Sequence, residues 1–220
     1  MLKYSFHNSK LNGLAHSLGL VHREVVSFDL PAGWTCAKSG ICKTLAARDT
    51  GKITRHGRVM CYAAKAEAYS PATRRMRWHN FDLLSSCKND ILKMFALLTD
   101  SLPRDIKIVR IHSSGDFFSR QYFQAWVMLA TYNPDIIFFG YTKHLDYATA
   151  MLPENMFLEY SYGSRDDSKM RSLKFHVPTC FIGEHKGMYT GYKIVCKGEN
   201  SASEDYHAIL AHKSFVIMMH

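Results

Sequence analysis

No apolar run in this chain approaches the roughly 20 residues that a membrane-spanning helix needs. The opening stretch, MLKYSFHNSKLNG, lacks the apolar region of a signal peptide, so the expected location is the cytosol. Internal repeats and low-complexity segments are absent, which removes repeat arrays and long linkers from consideration. None of the 12 histidines falls in an HExxH or other paired-histidine pattern, and none is assigned to a metal. Short nucleic-acid motifs of the RRM or zinc-finger kind are also missing. Acidic residues are in short supply: 19 Asp and Glu face 28 Lys and Arg, giving a formal net charge of +9. Cysteine is sparse too. Six thiols in a cytosolic chain point to metal ligation or reduced core positions rather than to disulfides.

What is present is enough for one sizeable core: 220 residues, 47% of them hydrophobic. Seven short runs read as strands, being rich in β-branched or aromatic residues and flanked by breakers. They are Glu24 to Leu30, Ile106 to His112, Ile136 to Tyr141, Met156 to Ser161, Lys174 to Pro178, Tyr192 to Cys196 and Phe215 to Met219. Between them lie helix candidates. In Asn80 to Leu98 the residues Phe81, Leu84, Ile91, Met94, Phe95 and Leu98 share one face. Arg120 to Thr131 follows Ser119, an N-cap residue type. Leu145 to Leu152, Asp167 to Ser172 and Ser203 to His212 are shorter. Strand, loop and helix repeating in this rhythm predict parallel pairing through right-handed crossovers. The expected fold is a single α/β domain over residues 1–220, with a cysteine-rich loop insertion at about 31–79. Its architecture is a small or incomplete (β/α) barrel of about seven mainly parallel strands, with an open α/β sheet as the alternative.

Ligands gather at the carboxyl ends of parallel strands in either architecture. The first strand empties into PAGWTC, which carries Cys36; Cys42 follows after five residues and Cys61 after eighteen more. Soft thiolates favour zinc, Cu(I) or iron–sulfur clusters. Three of them are too few for a structural zinc site, and the spacings do not match a zinc knuckle. They suit a 4Fe–4S cluster with one iron left open, or one completed by a distant cysteine. Cys180 and Cys196 both lie near strand ends; either is a candidate fourth ligand, Cys196 being the one named, and a core thiol is the plain alternative for each. Cys61 opens CYAAKAEAY, a strong helix former, and a helix N-terminus favours the ligated thiolate. Cys87, inside the Asn80 to Leu98 stretch, reads as a packed core thiol.

The second strand ends in HSSGDFFS. Ser114, Gly115 and Asp116 offer a hydroxyl, a flexible backbone and a carboxylate for a cationic group. The bland alternative is a βα turn whose Asp116 or Ser119 caps the next helix. Lys143, after YT at the third strand end, is a candidate anion contact or a snorkelling surface lysine. From Lys43 to Arg77 nine basic residues face only Asp49 and Glu67. That patch suits nucleic acid or a phosphorylated ligand, or is simply a solvated basic face.

The run SFDLPAGWTC, with CYAAKAEA, RIHSSGDFFS, AW and YTK beyond it, resembles the phage gene product 88 family, from about Asn8 to at least Lys143. That resemblance implies a phage origin and the host cytoplasm, with a host protein as a further partner class. More distantly, the layout looks like radical-SAM proteins. It then implies a partial (β/α) barrel, a 4Fe–4S cluster on Cys36, Cys42 and Cys61, and S-adenosylmethionine meeting Ser114, Gly115 and Asp116. The spacing here is Cx5Cx18C where that superfamily has CxxxCxxC, and the turn reads SGD where it has GGE.

Overall fold

In the computed structural model of the chain, residues 1–6, 9–87, 89–183, 193–195 and 201–218 are described. A two-residue strand β1 (Tyr4–Ser5) leads to helix α1 (Ser9–Ser17) and strand β2 (Val25–Phe28). A small hairpin follows, β3 (Leu45–Ala46) and β4 (Ile53–Arg55), then α2 (Tyr62–Tyr69), α3 (Pro71–Ser86) and α4 (Ile91–Ser101). Strand and helix then alternate through β5 (Ile108–Ile111), α5 (Arg120–Tyr132), β6 (Ile137–Thr142), α6 (Leu145–Ala148), β7 (Met156–Ser161), α7 (Asp167–Arg171) and β8 (Thr179–Gly183). The last described elements are β9 (Lys193–Val195), α8 (Ser201–Leu210) and β10 (Phe215–Met218).

Alternation along the strands decides the layers, because successive side chains point to opposite faces. Val26, Phe28, Val109, Ile111, Phe138, Met156 and Leu158 face α3, α4 and α5, where Leu84, Met94, Leu98, Tyr122 and Trp126 complete the larger core. Val25, Ile108, Phe139, Cys180 and Phe215 face the other way, against Leu11, Leu14 and Ala15 of α1 and Tyr206, Ala208 and Ile209 of α8. One sheet runs in the order β1-β2-β5-β6-β7-β8-β10-β9. All its pairings are parallel except that of β1 with β2.

The α/β class and the seven mainly parallel strands are therefore as expected. A ring is not: β1 and β9 are the two edges, and the described residues form an open sheet. Two other expectations need correction. Strand β8 is Thr179–Gly183, not Lys174 to Pro178: Pro178 has no N–H to give to a ladder, and the pairing with β7 begins at Thr179, opposite Tyr160. The helix expected over Asn80 to Leu98 is two helices. Asn89 takes a left-handed φ of 65°, and Asp90 caps α4 by accepting from Lys93 N–H. Cys87 thus sits at the C-cap of α3, buried, with its Sγ 3.5 Å from the Leu83 carbonyl. The sixth strand is described only at Lys193–Val195, and Cys196 lies outside the described residues.

Candidate functional site

The cysteine loop leaves β2 and crosses the carboxyl ends of the parallel strands. Gly33 makes its first turn at φ +72°; a Cβ there would stand 2.0 Å from the Thr44 carbonyl oxygen. The Gly33 N–H points at Cys36 Sγ, 3.3 Å away. The loop is then stitched to the end of β7. Gly40 and Ile41 donate to the Gly163 carbonyl at 2.9 and 3.1 Å, and Arg165 donates to Lys38 O at 2.9 Å. Cys42 Sγ lies 3.2 Å from Ser39 Oγ. Cys61 is the N-cap of α2, its own N–H held by Thr44 Oγ1 at 3.0 Å. Its sulfur faces the Ala63 and Ala64 N–H groups, which favour the thiolate while burial disfavours it more. Burial likewise pushes the Cys36 thiol up, followed by the nearby charge of Asp116 and then by Cys61 and Cys42. All three thiols are free and half-buried, and each lies within electrostatic reach of another. Sequence separations of five and eighteen residues have been folded into one mouth. Among the described residues, no three His, Cys, Asp or Glu side chains are grouped so as to hold a metal ion.

A buried ionic network supports that mouth. Glu67 on α2 accepts from Ala32 N–H at 2.8 Å and from Arg77 Nη1 at 2.9 Å. Arg77 also donates to Ala63 O, and its Nη2 lies 3.8 Å from Asp29. Arg74 donates to the carbonyls of Glu67, Arg48 and Asp49. Burial raises the carboxyls of Asp29 and Glu67, and their arginine and backbone partners oppose it. Two arginines of the presumed basic patch are thus internal struts. Arg48, also of that patch, is exposed but pairs with Asp82 and lies over the Trp78 ring. Lys52, Arg55, Arg58, Lys65 and Arg75 remain on the surface.

The SGD turn docks on the same loop. Leu30 N–H donates to Ser114 O, Ser114 Oγ donates to Leu30 O at 2.9 Å, and Ser114 N–H donates to Asp29 at 3.1 Å. Asp116 N–H reaches Thr35 Oγ1, next to Cys36. The Asp116 carboxylate accepts from Phe117 N–H, Thr142 Oγ1 and Lys143 N–H, all at 2.8–2.9 Å. Lys143 is buried, and its ammonium donates to Ser161 O, Ser161 Oγ and Tyr162 O. Ser114, Gly115 and Asp116 therefore lie against the loop that carries Cys36, Lys143 follows at the next strand end, and their polar groups are spent on joining strand ends. Ser119, not Asp116, caps α5.

Sequence reasoning missed the polar face beyond this mouth. Arg110, Tyr141 and Glu159 lie on β5, β6 and β7, with Asp205 of α8 in electrostatic reach of all three. The signal was available in IVRIH and MFLEYS, where a charge interrupts an apolar strand at an inward position.

A family model described as "Gene product 88" matches residues 4–212. The chain is 33% identical over 93 residues to the Gene 88 protein of Mycobacterium phage L5, and 31% identical over 93 residues to the Gene 88 protein of Mycobacterium phage D29. Each alignment covers 38% of this chain and 38% of the relative. No solved structure matches.

Proposed function

Starting from the fact that the chain belongs to the gene product 88 family, we propose that it is a phage iron–sulfur protein. Cys36, Cys42 and Cys61 would hold a 4Fe–4S cluster at the carboxyl ends of the parallel strands. The observation that carries this reading is the convergence of three free thiols from distant positions, braced by a buried ionic network. The donor set fits the group: thiolates suit iron–sulfur clusters. When bound, such a group supplies one-electron chemistry, and an iron without a protein ligand supplies the place where S-adenosylmethionine is cleaved in radical-SAM proteins. That finer, enzymatic reading rests on the three-thiol set and its place at the strand ends. The residues of the SGD turn act in it as positioning residues: Ser114, Gly115 and Asp116 hold the cysteine loop against β5 and β6.

The test is iron content in protein purified without oxygen. Cys36→Ala, Cys42→Ala and Cys61→Ala should each lose iron and stability together, since metal binding and folding are coupled. Cys87→Ser should keep its iron. Loss in Cys180→Ser or Cys196→Ser would mean a closed, non-catalytic cluster. Full iron retention in the first three variants would refute the assignment.

A second reading, nucleic-acid binding, is favoured by the cations that stay exposed: Lys52, Arg55, Arg58, Lys65 and Arg75. Tyr62 and Tyr69 are exposed aromatics on the same segment.

A further inference from the structure

A guanidinium inside a protein ordinarily has a carboxylate, a carbonyl or a water on every N–H. Arg110 is 7% exposed and its Nε is without a partner among the described residues. It does not stand alone. Glu159 is 1% exposed, and neither of its carboxyl oxygens has a partner among the described residues. The Tyr141 hydroxyl is in the same state. The register places these groups together. Arg110 pairs with Phe139, two residues before Tyr141 on β6, and Tyr141 pairs with Glu159 on β7. The Arg110 guanidinium lies 5.6 Å from the Tyr141 ring centre. All three share the sheet face of Ile108, Phe139 and Cys180, towards its carboxyl end. Four unpartnered polar atoms on three adjacent strands are too concentrated to be packing accidents, because each such atom is costly to bury.

We propose that Arg110, Tyr141 and Glu159 form a binding chamber for the oxyanion, carboxylate or phosphate, of a small ligand. The polarity of the groups selects that chemistry. The Glu159 carboxyl is pushed up to about 8, first by burial and then by Asp205, so at neutral pH it carries its proton. Guanidinium, phenol and carboxyl O–H are then all donors, and the complement of a donor set is a group rich in acceptors. A cationic ligand would meet the guanidinium, and an apolar one would leave every donor unpaired. Tyr62, directly after Cys61, is 68% exposed, donates to Ser113 O and lies within electrostatic reach of Arg110. The chamber stands on its own groups and does not depend on the cluster assignment.

Thermal unfolding and calorimetry on the full chain decide it, with inorganic phosphate and acetate as probes and chloride at matched ionic strength as reference. Wild-type protein should gain melting temperature from at least one probe. Arg110→Met should bind at least tenfold more weakly, with its cooperative melting in chloride showing that it folds. Should that variant fail to fold, Tyr141→Phe serves instead and should weaken binding several-fold. A response to phosphate alone assigns a phosphorylated ligand, and a response to acetate alone a carboxylate. No response beyond chloride in wild type, or an unchanged response in Arg110→Met or Tyr141→Phe, would overturn the proposal and leave water as the partner of these groups.

Discussion

At Gly115 the backbone runs at φ +88°, and a Cβ there would stand 2.7 Å from Thr35 Oγ1 and 2.8 Å from Leu30 Cβ. Gly115→Ala should therefore cost about 1–3 kcal/mol, from strain and from lifting the turn off the cysteine loop. Chemical denaturation measures it; a change below about 0.5 kcal/mol would mean the close approach is not needed. Glu159 gives a pH signature. Its carboxyl titrates near 4.5 when free and about 8 when folded, so between those values the folded state holds a proton that the unfolded state has lost. Stability must then fall as pH rises from about 4.5 to about 8, by a few kcal/mol. Asp205, Tyr141 and Cys180 are the titratable groups in electrostatic reach of it. Glu159→Gln should flatten that slope in urea titrations, and an unaltered slope would contradict the assignment. Arg77→Ala should cost about 3–5 kcal/mol, because Glu67 and Asp29 would be left buried without their cation. The nearness of Cys36, Cys42 and Cys61 was legible, because the loop after the first strand carries the first of them to the strand ends. Residue identity was misleading for Arg74 and Arg77: composition counts charges but does not tell a solvated guanidinium from one bonded to carbonyls.

Helices and strands were legible in type and slipped at their ends. α5 was expected within one residue, since Ser119 caps it and its apolar face repeats cleanly. The break between α3 and α4 was missed because the apolar stripe runs straight through it. The overlooked clue was Asn89-Asp90, a left-handed residue followed by a cap. Asp90→Ala should lower stability by about 1 kcal/mol through loss of the contact to Lys93 N–H. Hydrogen exchange localised to α4 would check it, and unchanged protection there would count against the cap. The short elements β1 and α1 were not foreseen. Two residues carry no period, and α1 is held by tertiary packing of Leu11, Leu14 and Ala15 against β2 and α8 rather than by a strong pattern.

For the whole molecule, strand order was legible because each parallel strand follows its neighbour in the chain until β9 and β10 exchange places. Ring closure depends on how edge strands meet, which no local pattern encodes. The net charge of +9 bears on the second functional reading. If the surface cations bind nucleic acid, affinity should fall steeply with salt, and Lys52→Ala, Arg55→Ala and Arg58→Ala together should reduce the slope by up to about 0.9 per lost phosphate contact. Anisotropy titrations with no binding at low salt would leave a solvated face. The central claim, a cluster on three thiols, is tested most directly by iron, sulfide and zinc analysis of the wild-type protein purified without oxygen. The account predicts a brown protein with iron and sulfide in equal amounts, about four of each per chain. A colourless protein with stoichiometric zinc and no sulfide would contradict it.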